Sequence, residues 1–268
     1  MKSTIIIPFR DSFKNGERHQ QLDIVSKRIQ EVCKEHSQDY EILVIHQNGD
    51  DFFNKSMLLN IGVDISIKNS DYFILHDVDH YPLNVNNLYR EREKSGNLLK
   101  IQDGKEYTGP GFWGGVVYIK KEDYLKINGF CNYFWGWGWE DSAIGQRLNA
   151  KDIEHEQGDG IFKQLYHKTN HRYYKNSEFG GKIGNPNYIN NGVVYHLYNN
   201  VLDDGYNNLS YTITDTKKLG DKIVIYNVTI PPPQYDTNVF LTDENIDKLI
   251  GPHDLNVLKD LMKTYYHK

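Results

Sequence analysis

Between Ile5 and His76, three short apolar runs alternate with two segments whose apolar residues recur at helical spacing, and few folds accept that order. Ile5–Phe9 reads as a buried strand with Pro8 near its end. Glu17–Glu35 carries Leu22, Val25, Ile29 and Val32 three or four residues apart, which makes one apolar helix face. Tyr40–His46 reads as a second strand, closed by the turn Asn48-Gly49-Asp50. Asn54–Ile67 reads as a second helix with Leu58, Ile61 and Ile65 on one side, and Tyr72–His76 as a third strand that runs into Asp77-Val78-Asp79. Strand–helix–strand–helix–strand is the pattern of an open α/β sheet. Such sheets gather ligands at the carboxyl ends of their strands, and the acidic D-x-D falls at one of those ends.

Beyond Pro82 the pattern is mixed. Val116–Ile119 reads as a short strand, with helices over Lys121–Asn128 and Asp141–Asn149. Gly158–Asn191 is rich in Asn, Gly, Lys, Tyr and His and reads as long loops. Leu209–Thr214 and Lys222–Ile230 read as a hairpin, and Pro231-Pro232-Pro233 forces an extended break. The expected organisation is one α/β domain over residues 1–230 and a helical tail over 231–268 packed on it.

Composition narrows the function classes. The 268 residues carry a formal net charge of −5, with both signs interspersed, which argues against a dedicated nucleic-acid binder. Two cysteines, Cys33 and Cys131, make no disulfide framework and read as free thiols of a reducing compartment. No apolar run approaches the ~18 residues of a membrane span, and no signal peptide is visible, so a cytoplasmic protein is expected. Three N-x-S/T sequons, at Asn54, Asn208 and Asn227, then read as chance matches.

Four stretches carry chemistry-bearing residues. Asp77 and Asp79 could hold a hard divalent cation through oxygen, or form a plain acidic turn after a strand. His76 could be a ligand or orient a neighbour. Trp135-Gly136-Trp137-Gly138-Trp139-Glu140-Asp141 alternates bulky rings with glycines, which suits a loop closing over a ligand. A Trp face can stack on a sugar ring and a carboxylate can deprotonate its hydroxyl, whereas the plainer reading is an aromatic turn whose acids cap the next helix. His167 and His171, four apart, offer imidazoles to a metal or sit at the surface. Gly109-Pro110-Gly111-Phe112-Trp113-Gly114-Gly115 would let backbone approach a sugar or phosphate, or simply turn into the next strand; it matches no P-loop.

In order along the chain, several segments match the β-1,4-galactosyltransferase family, inverting enzymes of the GT-A fold. They are Ile5–Arg10, Val44–Asp50, Phe53–Lys55 through Leu58–Gly62, Asp77–Asp79 with Pro82, Trp113–Val116, Asn128–Phe130, Trp135–Gly138 with Glu140-Asp141 and, more weakly, Gly205–Tyr211. The resemblance covers about residues 4–230 and implies a Rossmann-like nucleotide-sugar domain with a mixed sheet and mobile loops. It implies that Pro8, Phe9 and Arg10 line a uridine-nucleotide pocket with Phe53 and Lys55 nearby. Asp77 would contact the nucleotide-sugar, Asp79 and His167 would bind Mn²⁺, with His171 in reserve, and Gly115 would lie near the donor sugar. Trp137 would meet both substrates, Glu140 would hold the acceptor sugar, and Asp141 would be the general base.

The implied activity is metal-dependent transfer of a hexose, galactose first, from a UDP-sugar to a sugar hydroxyl, with a sugar-binding relative without turnover as the alternative. Phe112 stands where the family often has a Tyr that helps set donor choice, which keeps UDP-GalNAc and UDP-glucose open. Trp139 and Ser142 replace a small or polar residue and a third acid. Animal members are anchored Golgi proteins with disulfides, so this chain resembles a microbial or viral version.

Overall fold

The computed structural model describes residues 2–11, 16–49, 51–84, 88–102, 113–136, 138–165, 191, 194–195 and 204–231. Its strands are β1 (Lys2–Phe9), β2 (Asp39–Gln47), β3 (Tyr72–His76), β4 (His80–Pro82), β5 (Ser95–Ile101), β6 (Val116–Lys120), β7 (His155–Gln164), β8 (Thr212–Leu219) and β9 (Ile223–Thr229). Its helices are α1 (Glu17–Glu35), α2 (Lys55–Ser66), α3 (Lys121–Lys126) and α4 (Glu140–Ala150). The strands form one sheet in the order β4-β7-β5-β6-β3-β1-β2-β9-β8.

The sheet has two halves. β3, β1, β2 and β9 run parallel, in register from Ile6 opposite Leu43 and Leu75. β6 then pairs antiparallel with β3 and β5, and β7 pairs parallel with β5 but antiparallel with β4. Alternation along each strand sends successive side chains to opposite faces. Ile5, Ile7, Ile42 and Val44 meet Val25, Ile29 and Val32 of α1 on one face. Ile6, Leu43, Ile45 and Leu75 meet Leu58 and Ile61 of α2 and Ile144 and Leu148 of α4 on the other. The result is a helix–sheet–helix sandwich.

The first half follows the expected elements closely, because its strands are apolar on both faces. Asn54 caps α2 by accepting from the Met57 N–H (2.9 Å) and is fully buried, so its sequon is closed in the folded protein. The second half departs from expectation. Residues 158–164, read as loop, belong to β7, whose inward positions are Gly158, Gly160 and Phe162. A Cβ on Gly160 would lie 2.4 Å from Leu88 Cδ1 and 2.6 Å from the Leu98 carbonyl oxygen, so the neighbours need a residue without a side chain. Such a strand shows little apolar alternation. At the opposite edge, antiparallel to β9, β8 begins at Thr212 rather than Leu209, and all eight of its residues are exposed, so no burial pattern marks it. Cys33 and Cys131 are buried free thiols. No helix among the described residues is long and apolar enough to cross a membrane. The expected tail beyond Pro231 lies outside the described residues.

Candidate active site

The carboxyl end of β3 is the centre of the site. His76 is fully buried, with Nδ1 2.8 Å from the Asp77 carbonyl oxygen and Nε2 2.9 Å from the Tyr89 hydroxyl. Burial pushes its pKa down to about 3, so it is a neutral brace for the turn. The Asp77 N–H donates to the Gly115 carbonyl (2.8 Å), and the His80 N–H donates back to Asp77 (3.3 Å). This tight turn brings ligand atoms of Asp77, Asp79 and His80 within 4.8 Å of one another, a group able to hold a metal ion. Two carboxylates and an imidazole form a donor set that fits a divalent ion such as manganese. Arg18 of α1 reaches across and places Nη1 3.3 Å from Asp79 Oδ2. Gly115 has φ +77°, and a Cβ there would come 2.5 Å from Leu99 Cδ2 and 3.3 Å from the His80 ring. Glycine therefore relieves both backbone and space beside the acidic turn.

A second pair of acids comes from α4. Glu140 and Asp141 occupy its first turn, where helical N–H groups favour carboxylates. The loop before them is fixed at many points. Gly136 N–H donates to the Phe53 carbonyl (2.8 Å), and Asn191 Nδ2 donates to the carbonyls of Trp135 (3.1 Å) and Gly138 (3.0 Å). Asn60 Nδ2 donates to the Phe130 carbonyl and Asn54 Nδ2 to that of Asn132, tying the loop to α2. Trp135 is buried in the core, and the Trp139 ring lies 5.0 Å from that of Tyr195. Trp139 takes φ 74° as it enters the helix.

Lys55, the first residue of α2, joins the two acidic pairs. Its Nζ lies 3.1 Å from Asp77, 3.0 Å from Asp141 and 3.8 Å from Glu140. Burial alone would lower its pKa, but Asp141, Asp77 and Glu140 together hold it well above the usual lysine range. Burial, then the neighbouring Asp141, pushes Glu140 up to about 7. Asp77 is also raised, by burial first, with Lys55 opposing.

At the end of β1 the expected pocket residues divide. Pro8 pairs with Ile45 inside the sheet, and Phe9 is buried with its ring centre 5.0 Å from that of His19 and 5.3 Å from that of His46. Arg10 instead lies over the half-buried Phe53 ring at 5.6 Å and donates to the Asp51 carbonyl. Thus Asp77, Asp79, Gly115, Lys55, Glu140 and Asp141 form one cluster, with Arg10 and Phe53 as a separate pair. Trp137, His167 and His171 lie outside the described residues. Sequence reasoning passed over His80, whose signal was its place directly after the D-x-D, and Arg18, which gives no local signal because it arrives from another element.

Known proteins share this arrangement of sequence and fold. The profile "N-terminal region of glycosyl transferase group 7" matches residues 1–91, and "N-terminal domain of galactosyltransferase" matches residues 100–181. Human beta-1,4-galactosyltransferase 1 is 32% identical over 221 residues, 81% of this chain and 52% of that protein. Human beta-1,4-galactosyltransferase 6 is 32% identical over 218 residues, 75% of this chain and 56% of that protein. The chain thus spans about half the length of the curated relatives it matches. The catalytic domain of Drosophila beta-1,4-galactosyltransferase 7 superposes with a TM-score of 0.68 at 22% identity, covering 89% of this chain and 97% of that one. That likeness establishes the GT-A α/β fold. With two successive family profiles, relatives near a third identical and a shared fold, the chain belongs to the β-1,4-galactosyltransferase family.

Proposed function

We propose that this protein is an inverting, metal-dependent glycosyltransferase that moves galactose from UDP-galactose to a hydroxyl of a sugar acceptor. The observation that carries the reading is the meeting, around Lys55, of a metal-type donor set at β3 with a carboxylate pair at α4. A variant of Drosophila beta-1,4-galactosyltransferase 7 has been solved in complex with manganese, UDP-Gal and xylobiose, which supports the same ligand classes here. Asp79 would hold Mn²⁺, with Asp77 and His80 beside it. The Leu165 N–H donates to the Asp79 carbonyl (2.7 Å), which ties the residue after β7 to the acidic turn. The family resemblance supports His167 as a further ligand, with His171 in reserve. When bound, the ion neutralises charge on the diphosphate leaving group.

Arg10 and Phe53 receive the nucleotide base, with Pro8 and Phe9 shaping the strand end behind them. Asp77 contacts the nucleotide-sugar, and Gly115 leaves room for the donor sugar. Trp137 covers both substrates. Glu140 orients the acceptor, and Asp141 takes the proton of its attacking hydroxyl. The hydroxyl oxygen bonds to the anomeric carbon as the bond to UDP breaks, with the electron pair leaving on UDP. Base and leaving group stand on opposite sides, which inverts the anomeric centre. Its two free, buried thiols fit a reducing setting.

A UDP-release assay tests the reading, using UDP-galactose, UDP-glucose, UDP-GalNAc and UDP-GlcNAc with Mn²⁺, each with and without simple sugars. Release from UDP-galactose that needs Mn²⁺ and rises with one acceptor is expected. Failure to bind UDP with Mn²⁺ would overturn it.

A further inference from the structure

Three carboxylates share one ammonium in this site, and the sharing has a chemical consequence. Lys55 Nζ sits 3.0 Å from Asp141 Oδ1 and 3.1 Å from Asp77 Oδ2, with Glu140 Oε1 at 3.8 Å. The Lys55 side chain is only 15% exposed, so these charges meet where water screens them little. A carboxylate oxygen that accepts a hydrogen bond from an ammonium has one lone pair engaged and its charge partly neutralised. That is a poor state for a group that must accept a proton from a hydroxyl. The amino group stands on a four-carbon stem and carries three donors that can be redirected. Asp77, the other close partner, lies on the side of the acidic turn where the diphosphate arrives under the proposed function.

We propose that Lys55 is a positioning residue that holds Asp141 out of use until the anionic donor draws the ammonium away. Donor arrival moves Lys55 from Asp141 to a phosphate oxygen. Asp141 then has both oxygens available, accepts the proton of the acceptor hydroxyl, and the new bond forms at the anomeric carbon as UDP leaves with the electron pair. Lys55 thereby makes the base wait for the donor. The inference rests on the proposed transferase reading, and it adds a coupling role to the place near the nucleotide pocket that the resemblance implies for Lys55.

The coupling can be read by binding alone. UDP with Mn²⁺ is titrated calorimetrically into the wild type, Asp141→Asn, Lys55→Met and the double variant. If Lys55 must leave Asp141 to meet phosphate, Asp141→Asn weakens the competitor and tightens UDP about 3–10-fold, and that gain disappears when Lys55 is already Met. An equal gain in both backgrounds would mean general charge repulsion, and no gain would mean that Lys55 keeps its hold on Asp141; either result overturns the proposal. If Lys55→Met does not fold, Lys55→Arg replaces it: its fork can span both partners, and the Asp141→Asn gain should shrink without vanishing. A wild type that binds no UDP with Mn²⁺ would instead remove the transferase reading itself.

Discussion

The two halves of the sheet are built by opposite means. In the parallel half, β1, β2 and β3 are apolar on both faces, and helices seal them. In the mixed half, β7 turns glycines inward, and the bulk comes from neighbours such as Leu88 and Leu98. The seam between them is β3, parallel to β1 on one side and antiparallel to β6 on the other. Asp77 and Asp79 follow that seam directly, at the kind of switch point where open sheets place their ligands. The parallel half leads into the acidic turn, the closely fitted half backs it, and α4 brings the second acidic pair from one face.

The contrast can be broken at four points. Asp141→Asn, at the start of α4 facing the seam across Lys55, should lower transfer by about 10²–10⁴-fold with the fold intact by circular dichroism. Retained turnover would reassign the base. Ile6→Ala, in the parallel half, should cost ~2–5 kcal/mol in urea unfolding, because the fully buried side chain leaves a cavity between β1 and α2. Gly160→Ala tests the mixed half in the opposite sense: adding one methyl should cost ~1–3 kcal/mol, since Leu88 and the Leu98 carbonyl already fill the space. An equal response of both halves to cavities and to added bulk would erase the distinction.

The fourth and smallest effect is a pH dependence. Glu140 is raised from 4.5 to about 7, so between these values the folded protein keeps a proton that the unfolded chain releases. Stability therefore falls as pH rises through that window, and the cost stands in full above it. Glu140→Gln should leave the melting temperature of the metal-free protein unchanged at pH 4 and raise it by about 2–8 °C at pH 8. A gain of the same size at both pH values would show that ionisation is not the cause.

Much of the parallel half was legible because burial on both faces writes continuous apolar runs and one-sided helices into the chain. Helix α1 was read with its bounds intact, Glu17–Glu35, and β3 as Tyr72–His76. β7 was not legible, since an inward glycine looks like a loop residue until its neighbours are known. The hairpin of β8 and β9 was legible but the bounds of β8 were not, since β8 is held by its ladder with β9 and all its residues are exposed.

The same division runs through the site. Local sequence determined the acidic turn after β3, the carboxylates opening α4 and the family to which both belong, because each is a short motif with its own backbone logic. Only the tertiary structure decided that Trp135 goes to the core, that His80 joins Asp77 and Asp79, and that Arg18 reaches Asp79. It also decided that Lys55 stands among three carboxylates. Those relations join residues far apart in the chain, and ion-pair energy depends on distance and burial, which packing sets and residue order alone does not.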